Sequence, residues 1–186
     1  SDDGTTQTIT WNRSDGANYL VQVRTSADSG ATWSDVETLS EAGQSVEDPR
    51  VAMSDDGTTQ TIIWNRDDGA NDLVQVTTSA DSGETWSAAA DLSEAGEHAD
   101  DPAVALSDDG TTQTIVWDRY DGANDVVQVR TSADSGETWS DAVTLSEAGR
   151  DAWYPEVAMS ADGTTQTIVW YRYDGGNRVQ VTASAD

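Results

Sequence analysis

Seven side chains able to grip a sugar or an acid gather in three short stretches: Arg119 and Tyr120, Trp153 and Tyr154, then Tyr171, Arg172 and Tyr173. Aromatic faces are suited to stacking on sugar rings, and a few polar groups beside them fix orientation. Arginine adds a planar fork that takes a carboxylate through parallel hydrogen bonds. These residues lie far apart in the chain. They can act together only if the fold repeats itself and brings equivalent positions to one face.

The chain does repeat. Trp11, Trp64, Trp117 and Trp170 recur every 53 residues, as do Gly4, Gly57, Gly110 and Gly163. A period of that length suits a propeller blade of four short strands. Within residues 48–100, Pro49–Met53 reads as strand A, Thr58–Arg66 as B, Leu73–Ser79 as C and Ala88–Leu92 as a weaker D. The string Ser54-Asp55-Asp56-Gly57 turns A into B, and Asp67 to Asn71 forms the Gly-bearing hairpin between B and C. Adjacent apolar residues, Ile62-Ile63-Trp64 and Leu73-Val74, need cover on both strand faces, which stacked blades supply. The expectation is an all-β propeller of four-stranded antiparallel blades, about 3.5 repeats long. Residues 1–47 form a blade without strand A, 48–100 and 101–153 are complete, and 154–186 lack strand D.

Each complete copy also carries S-x-D-x-G-x-T-W. The residues are Ser26, Asp28, Gly30, Thr32 and Trp33; Ser79, Asp81, Gly83, Thr85 and Trp86; and Ser132, Asp134, Gly136, Thr138 and Trp139. The carboxylate can accept turn amides, the glycine permits positive φ, and the tryptophan is expected to be buried under the hairpin. This string resembles the Asp box of the sialidase-like BNR-repeat propellers, and the resemblance covers the whole chain. It implies a fold and favours an extracellular location, while activity has to be argued from a site. A motif present in every blade reads as turn chemistry and not as catalysis.

Comparison among the copies shows where the fold is permissive. The D-to-A connections read Gln44 to Asp48, Glu97 to Asp101 and Arg150 to Tyr154, and the B-to-C hairpins place Ser14, Asp67, Tyr120 and Tyr173 at one equivalent position. In an antiparallel meander both variable loops emerge on the same face, where the sialidases that this chain resembles bind their ligands. Tyr120, Trp153, Tyr154, Tyr171, Tyr173, Arg119 and Arg172 therefore form a candidate ligand set. The alternative is that Trp153 and Tyr154 plug a seam between blades.

A sialidase-like glycosidase, as the resemblance implies it, would need an arginine triad, a tyrosine nucleophile assisted by a carboxylate, and an acidic proton donor. Arg66, Arg119 and Arg172 are equivalent, and Tyr154 lies near Glu156. The family's early Arg-Ile-Pro signature is missing, however, and Arg13 completes a series with one arginine per blade, better read as partners of nearby aspartates. The expectation is thus a repeat scaffold or self-assembling propeller fragment without catalytic activity, or alternatively a lectin-like module.

The 35 acidic residues face 9 basic ones, all arginine, for a net charge of −26. Such a surface repels phosphate backbones and anionic lipids, so nucleic-acid and membrane partners are disfavoured. It fits salt adaptation and simple solubility equally. Without cysteine there are no disulfides, and no apolar run approaches a membrane span. No signal peptide is recognisable. The Asp-Gly strings lack the spacing of a calcium loop, and the sole histidine, His98, has no cysteine companions. No metal or other cofactor is expected. The incomplete first and last blades leave sheet edges that seek partners, so a homo-oligomer is expected, a dimer first, with glycans as the other candidate partner.

Overall fold

The computed structural model describes residues 1–185, and every regular element among them is a β-strand, in four antiparallel sheets. The first holds β1 (Gln7–Ser14), β2 (Tyr19–Ser26) and β3 (Glu37–Thr38). The second holds β4 (Val46–Met53), β5 (Gln60–Asp67), β6 (Asp72–Ser79) and β7 (Ala90–Asp91). The third repeats that order with β8 (Ala99–Leu106), β9 (Gln113–Tyr120), β10 (Asp125–Ser132) and β11 (Val143–Thr144). The fourth holds β12 (Asp151–Met159), β13 (Thr165–Tyr173) and β14 (Asn177–Ala185). Strands adjacent in sequence are adjacent in space, so each sheet is a meander and the four stack as propeller blades.

The doubled apolar residues explain the stacking. Ile62 and Trp64 pack with Val21, Val23 and Val46 in the seam between the first and second blades. Ile63 points the other way, to Val74, Ile115 and Trp117 between the second and third. Val116, Val127, Ile168 and Trp170 fill the third seam. The core is a series of seams in place of one centre, as expected when each repeat buries its faces only on its neighbours. Hydrogen bonds run the same way: Thr8, Thr61 and Thr114 each donate to the glutamine of the next blade, Gln60, Gln113 and Gln166, at 2.6, 2.7 and 2.8 Å.

The innermost strands are longer than their sequence suggests. β4 begins at Val46, ahead of Pro49, because a bulge breaks the register between Glu47 and Arg50 and lets pairing with β5 resume beyond it. The same bulge falls between Asp100 and Ala103 in β8, and between Trp153 and Glu156 in β12. Proline suits a bulge because it has no N–H to contribute to the ladder. The residue before each proline, Asp48, Asp101 or Tyr154, adopts a φ of 48°, 49° or 53°. Aspartate tolerates this left-handed conformation, but a tyrosine held there stores strain of a kind concentrated at functional sites.

The Asp boxes form closed local networks. Asp28 accepts the Thr32 amide at 2.7 Å and its hydroxyl at 2.6 Å, and Ser26 accepts the Gly30 amide at 2.9 Å. The Thr32 contacts, with Ser26, hold the Asp28 carboxyl below the usual range, and Thr85 and Thr138 do the same for Asp81 and Asp134. The tryptophans differ from expectation. Trp33, Trp86 and Trp139 are half-buried, with Trp86 and Trp139 packed on the edges of the first and second seams, whereas the fully enclosed indoles are Trp64 and Trp117 on β5 and β9. A hairpin at the blade's outer edge has protein on one side only.

Glycine is required strictly at the A-to-B turns. At Gly110 φ is 72° and a Cβ would stand 2.5 Å from Thr59 Cβ of the preceding blade. At Gly122 φ is 97° with open space around it. Gly110→Ala should therefore destabilise by about 2–4 kcal/mol, and Gly122→Ala by the backbone contribution alone, about 1–2 kcal/mol. Equal losses in urea unfolding would show that the blade contact is loose.

Candidate functional site

Trp153, Tyr154 and Tyr171 line an open cleft of about 510 Å³ together with Asn177. β12 and β13 pair Trp153 directly with Tyr171, so two of the walls are fixed by strand register. The bulge lifts Tyr154 out of the ladder and leaves it 60% exposed, and its ring meets Tyr171 edge-on with centroids 6.3 Å apart. Tyr173 backs the indole of Trp153 at 6.5 Å. That indole donates from Nε1 to Asp125 Oδ2 of the third blade at 2.6 Å, which fixes its plane. Trp153 thus belongs both to the seam and to the cleft, while Tyr154 faces solvent.

The remaining candidates lie elsewhere. Tyr120 stands in a separate groove with Asn71, Glu97 and His98, between the second and third blades. Arg119 is ion-paired with Glu97, and Arg172 with Glu147 at 2.7 Å. Arg66 meets Asp91 at 3.1 Å, and the carboxylate of Glu156 faces Arg50 at 3.6 Å. The equivalent arginines are therefore held in acid pairs and do not converge as a triad. The hairpin aspartates Asp15, Asp68 and Asp121 each cap two backbone amides of their own turn, the turn chemistry of an Asx motif.

Two residues beside the cleft escaped the reading of the sequence. Asn177 closes the last B-to-C hairpin and supplies an amide to the rim. Asp118 is 6% exposed on β9 and accepts the Tyr154 backbone N–H at 3.1 Å. Burial pushes its carboxyl up to about 8, with repulsion from Asp101, Asp100 and Asp125 adding to the effect against the Tyr154 hydrogen bond. Burial thus favours the neutral acid form of Asp118. A signal for it existed: Asn12 and Asn65 occupy the equivalent position in the first two blades. Nearby Asp101 is also raised, by burial first and then by Asp100 and Asp48.

The fold is shared with proteins of known structure. A Hadza microbial sialidase aligns over 100% of this chain at a TM-score of 0.68 and 16% identity. A sialidase of Trypanosoma rangeli aligns over 98% at 0.62 and 17%, and an N-acetylgalactosamine deacetylase from F. plautii over 98% at 0.51 and 16%. The chain spans 45% of the first of these, 35% of the second and 66% of the third. None of the curated proteins compared with it matches. The likeness corrects the expectation of a chain without catalytic activity: enzymes acting on glycans are built on this architecture, and repetition of its blades is no ground for excluding catalysis. The chain is related in fold to carbohydrate-active proteins. Its residues 6–167 match the BNR repeat-like domain, and with its meandering blades and three complete Asp boxes it belongs to that sialidase-like BNR-repeat propeller family.

Proposed function

We propose that the chain is the sugar-recognising segment of a carbohydrate-active protein, and that the cleft between Trp153, Tyr154 and Tyr171 takes a neutral oligosaccharide. The observation that carries this reading is the cleft itself, with three aromatic walls, one amide and a strained tyrosine aimed into solvent. The preference for neutral sugars follows from charge. Arg172 is held by Glu147, Arg178 by Asp174, and the molecule carries −26 overall, so an anionic sugar meets no free cation at the cleft and a repulsive field around it.

Immobilised neutral oligosaccharides and their sialylated counterparts test the reading. Binding is expected on the neutral set, with Trp153→Ala weakening it by about thirtyfold or more and Trp33→Ala leaving it unchanged. Preference for the sialylated set, or indifference to Trp153, would sink it. Circular dichroism of each variant separates loss of binding from loss of fold.

A second reading adds chemistry at the same place. The Asp118 carboxyl, which burial shifts toward its neutral form, stands behind the cleft and is hydrogen-bonded to the backbone of Tyr154, and the neutral form is what a proton donor to a glycosidic oxygen requires. Release of reducing sugar by the whole chain, lost in Asp118→Asn with binding retained, supports it. Unchanged release in that variant rejects it.

A further inference from the structure

Every seam joins the same two surfaces. In the second, Val74 and Val76 of the earlier blade meet Ile115 and Trp117 of the later one, and the equivalent residues meet in the first and third. All of them are buried. The fourth blade carries the same valine pair, since Gln180 faces Trp170 in register as Gln128 faces Trp117, which makes Val179 and Val181 the equivalents of Val127 and Val129. Here they are 68% and 65% exposed. The first blade carries the opposite half of a seam: Ile9 is 46% exposed and Trp11 only half-buried, although Ile62 and Trp64 one repeat later are fully enclosed. Adjoining exposed apolar groups of this kind mark an interaction surface.

The polar contacts divide in the same way. The series in which a threonine donates to the glutamine of the next blade ends on the fourth blade at Thr167 and starts on the first at Gln7. Gln7 is already posed to accept, with its Nε2 on the Gly4 carbonyl at 3.2 Å, as Gln60 and Gln113 hold theirs on Gly57 and Gly110. A backbone ladder crosses the blades from the Asp2 N–H to the Asp55 carbonyl, from Asp55 to Asp108 and from Asp108 to Ala161, each at 2.8 Å. Its two ends are the Asp2 carbonyl and the Ala161 N–H. Gly57, Gly110 and Gly163 each lie against a threonine of the preceding blade, whereas Gly4, at the same φ of 71°, has open space there.

We propose that the first blade of a second copy of this chain docks on the fourth blade and completes the same seam. Ile9 and Trp11 of one copy cover Val179 and Val181 of the other, Thr167 donates to Gln7, and the Ala161 N–H donates to the Asp2 carbonyl. A second copy fits better than an unrelated protein, because the match is residue by residue to an interface that the chain already makes three times. Joined at both ends, two copies form a closed ring of eight blades, within the range that propellers span, and neither face stays open. The junction stands independently of the glycan reading, since none of these residues lines the aromatic cleft.

Light scattering of the whole chain tests this, in about 0.5 M NaCl so that repulsion between copies of charge −26 is screened. A mass of twice the 19.8 kDa of one chain is expected. Val181→Glu and Ile9→Glu should each return it to that of one chain. Tyr19→Asp should leave it unchanged, because it places an acid on the seam between the first and second blades, where Asp72 and Asp125 stand in the next two repeats. Should circular dichroism show that the glutamate variants fail to fold, cross-linking carries the test. A short bismaleimide should join copies bearing Thr167→Cys to copies bearing Gln7→Cys, and join neither variant to itself. A mass of one chain for the unaltered protein overturns the proposal, as does a pair that survives both folded glutamate variants or cross-linking within a single cysteine variant.

Discussion

Trp64→Ala and Trp117→Ala are each expected to lower stability by about 3–5 kcal/mol, the range for truncating a fully enclosed large aromatic. Both indoles are 0% exposed, and each lies in a seam where two blades meet, so the void cannot be filled by collapse of one blade alone. Trp33→Ala, at a half-buried position outside the seams, should cost only about 1–2 kcal/mol. A finer contrast separates the two core sites. Trp64 Nε1 donates to Gln75 Oε1 at 2.9 Å, whereas Trp117 Nε1 is buried with no partner. Phenylalanine should therefore be better tolerated at 117 than at 64, because only at 64 does it orphan an acceptor. Urea unfolding of these variants checks both statements. If Trp33→Ala costs as much as Trp117→Ala, the seams are not the core.

Asp118→Asn is expected to stabilise the protein, increasingly so as the pH rises. In the unfolded chain this carboxyl ionises near its ordinary value of 3.8, whereas in the fold it holds its proton to about 8. Folding therefore takes up a proton between those values. The contribution of Asp118 to stability is fully present below the lower one and is lost progressively as the pH climbs through the window. Asparagine cannot ionise, yet it keeps an oxygen for the Tyr154 amide. Its advantage over aspartate should grow by about 3 kcal/mol between about pH 5.5 and 9. Denaturant unfolding in chelating buffer at the two pH values measures this. A difference independent of pH would show that Asp118 is ionised throughout.

What was legible in the sequence followed from how local each feature is. The Asp box could be read because its donors and acceptors, Ser26, Asp28, Gly30 and Thr32, lie within one turn. The stacking could be read from Ile62-Ile63, since adjacent apolar residues on a strand require two covered faces. The first residues of β4 could not, because Glu47-Asp48-Pro49 is polar and carries a proline, and only a bulge keeps it in the sheet. The ligand face was foreseen as one set, but blade spacing divides it. Tyr120 falls in the groove of the preceding seam, and Arg119 and Arg172 are taken up by Glu97 and Glu147. Glu97 sits in a variable D-to-A loop, whose course no periodicity dictates, whereas Glu147 belongs to the Leu-Ser-Glu-Ala-Gly string that all three copies share and only its contact with Arg172 was hidden. Asp118 depends on a contact between repeats, which repetition implies in general without naming the partner.

The eight tryptophans give eight indole N–H resonances, which makes sugar recognition directly observable. Titrating the 15N-labelled chain with the neutral oligosaccharide that it retains best should move one indole signal progressively and to saturation, that of Trp153, assigned by its loss in Trp153→Ala. The signals of the enclosed Trp64 and Trp117, and of the Asp-box residues Trp33, Trp86 and Trp139, should stay in place. Saturable movement of an Asp-box indole with Trp153 unmoved would contradict the account, as would a spectrum that no neutral oligosaccharide perturbs.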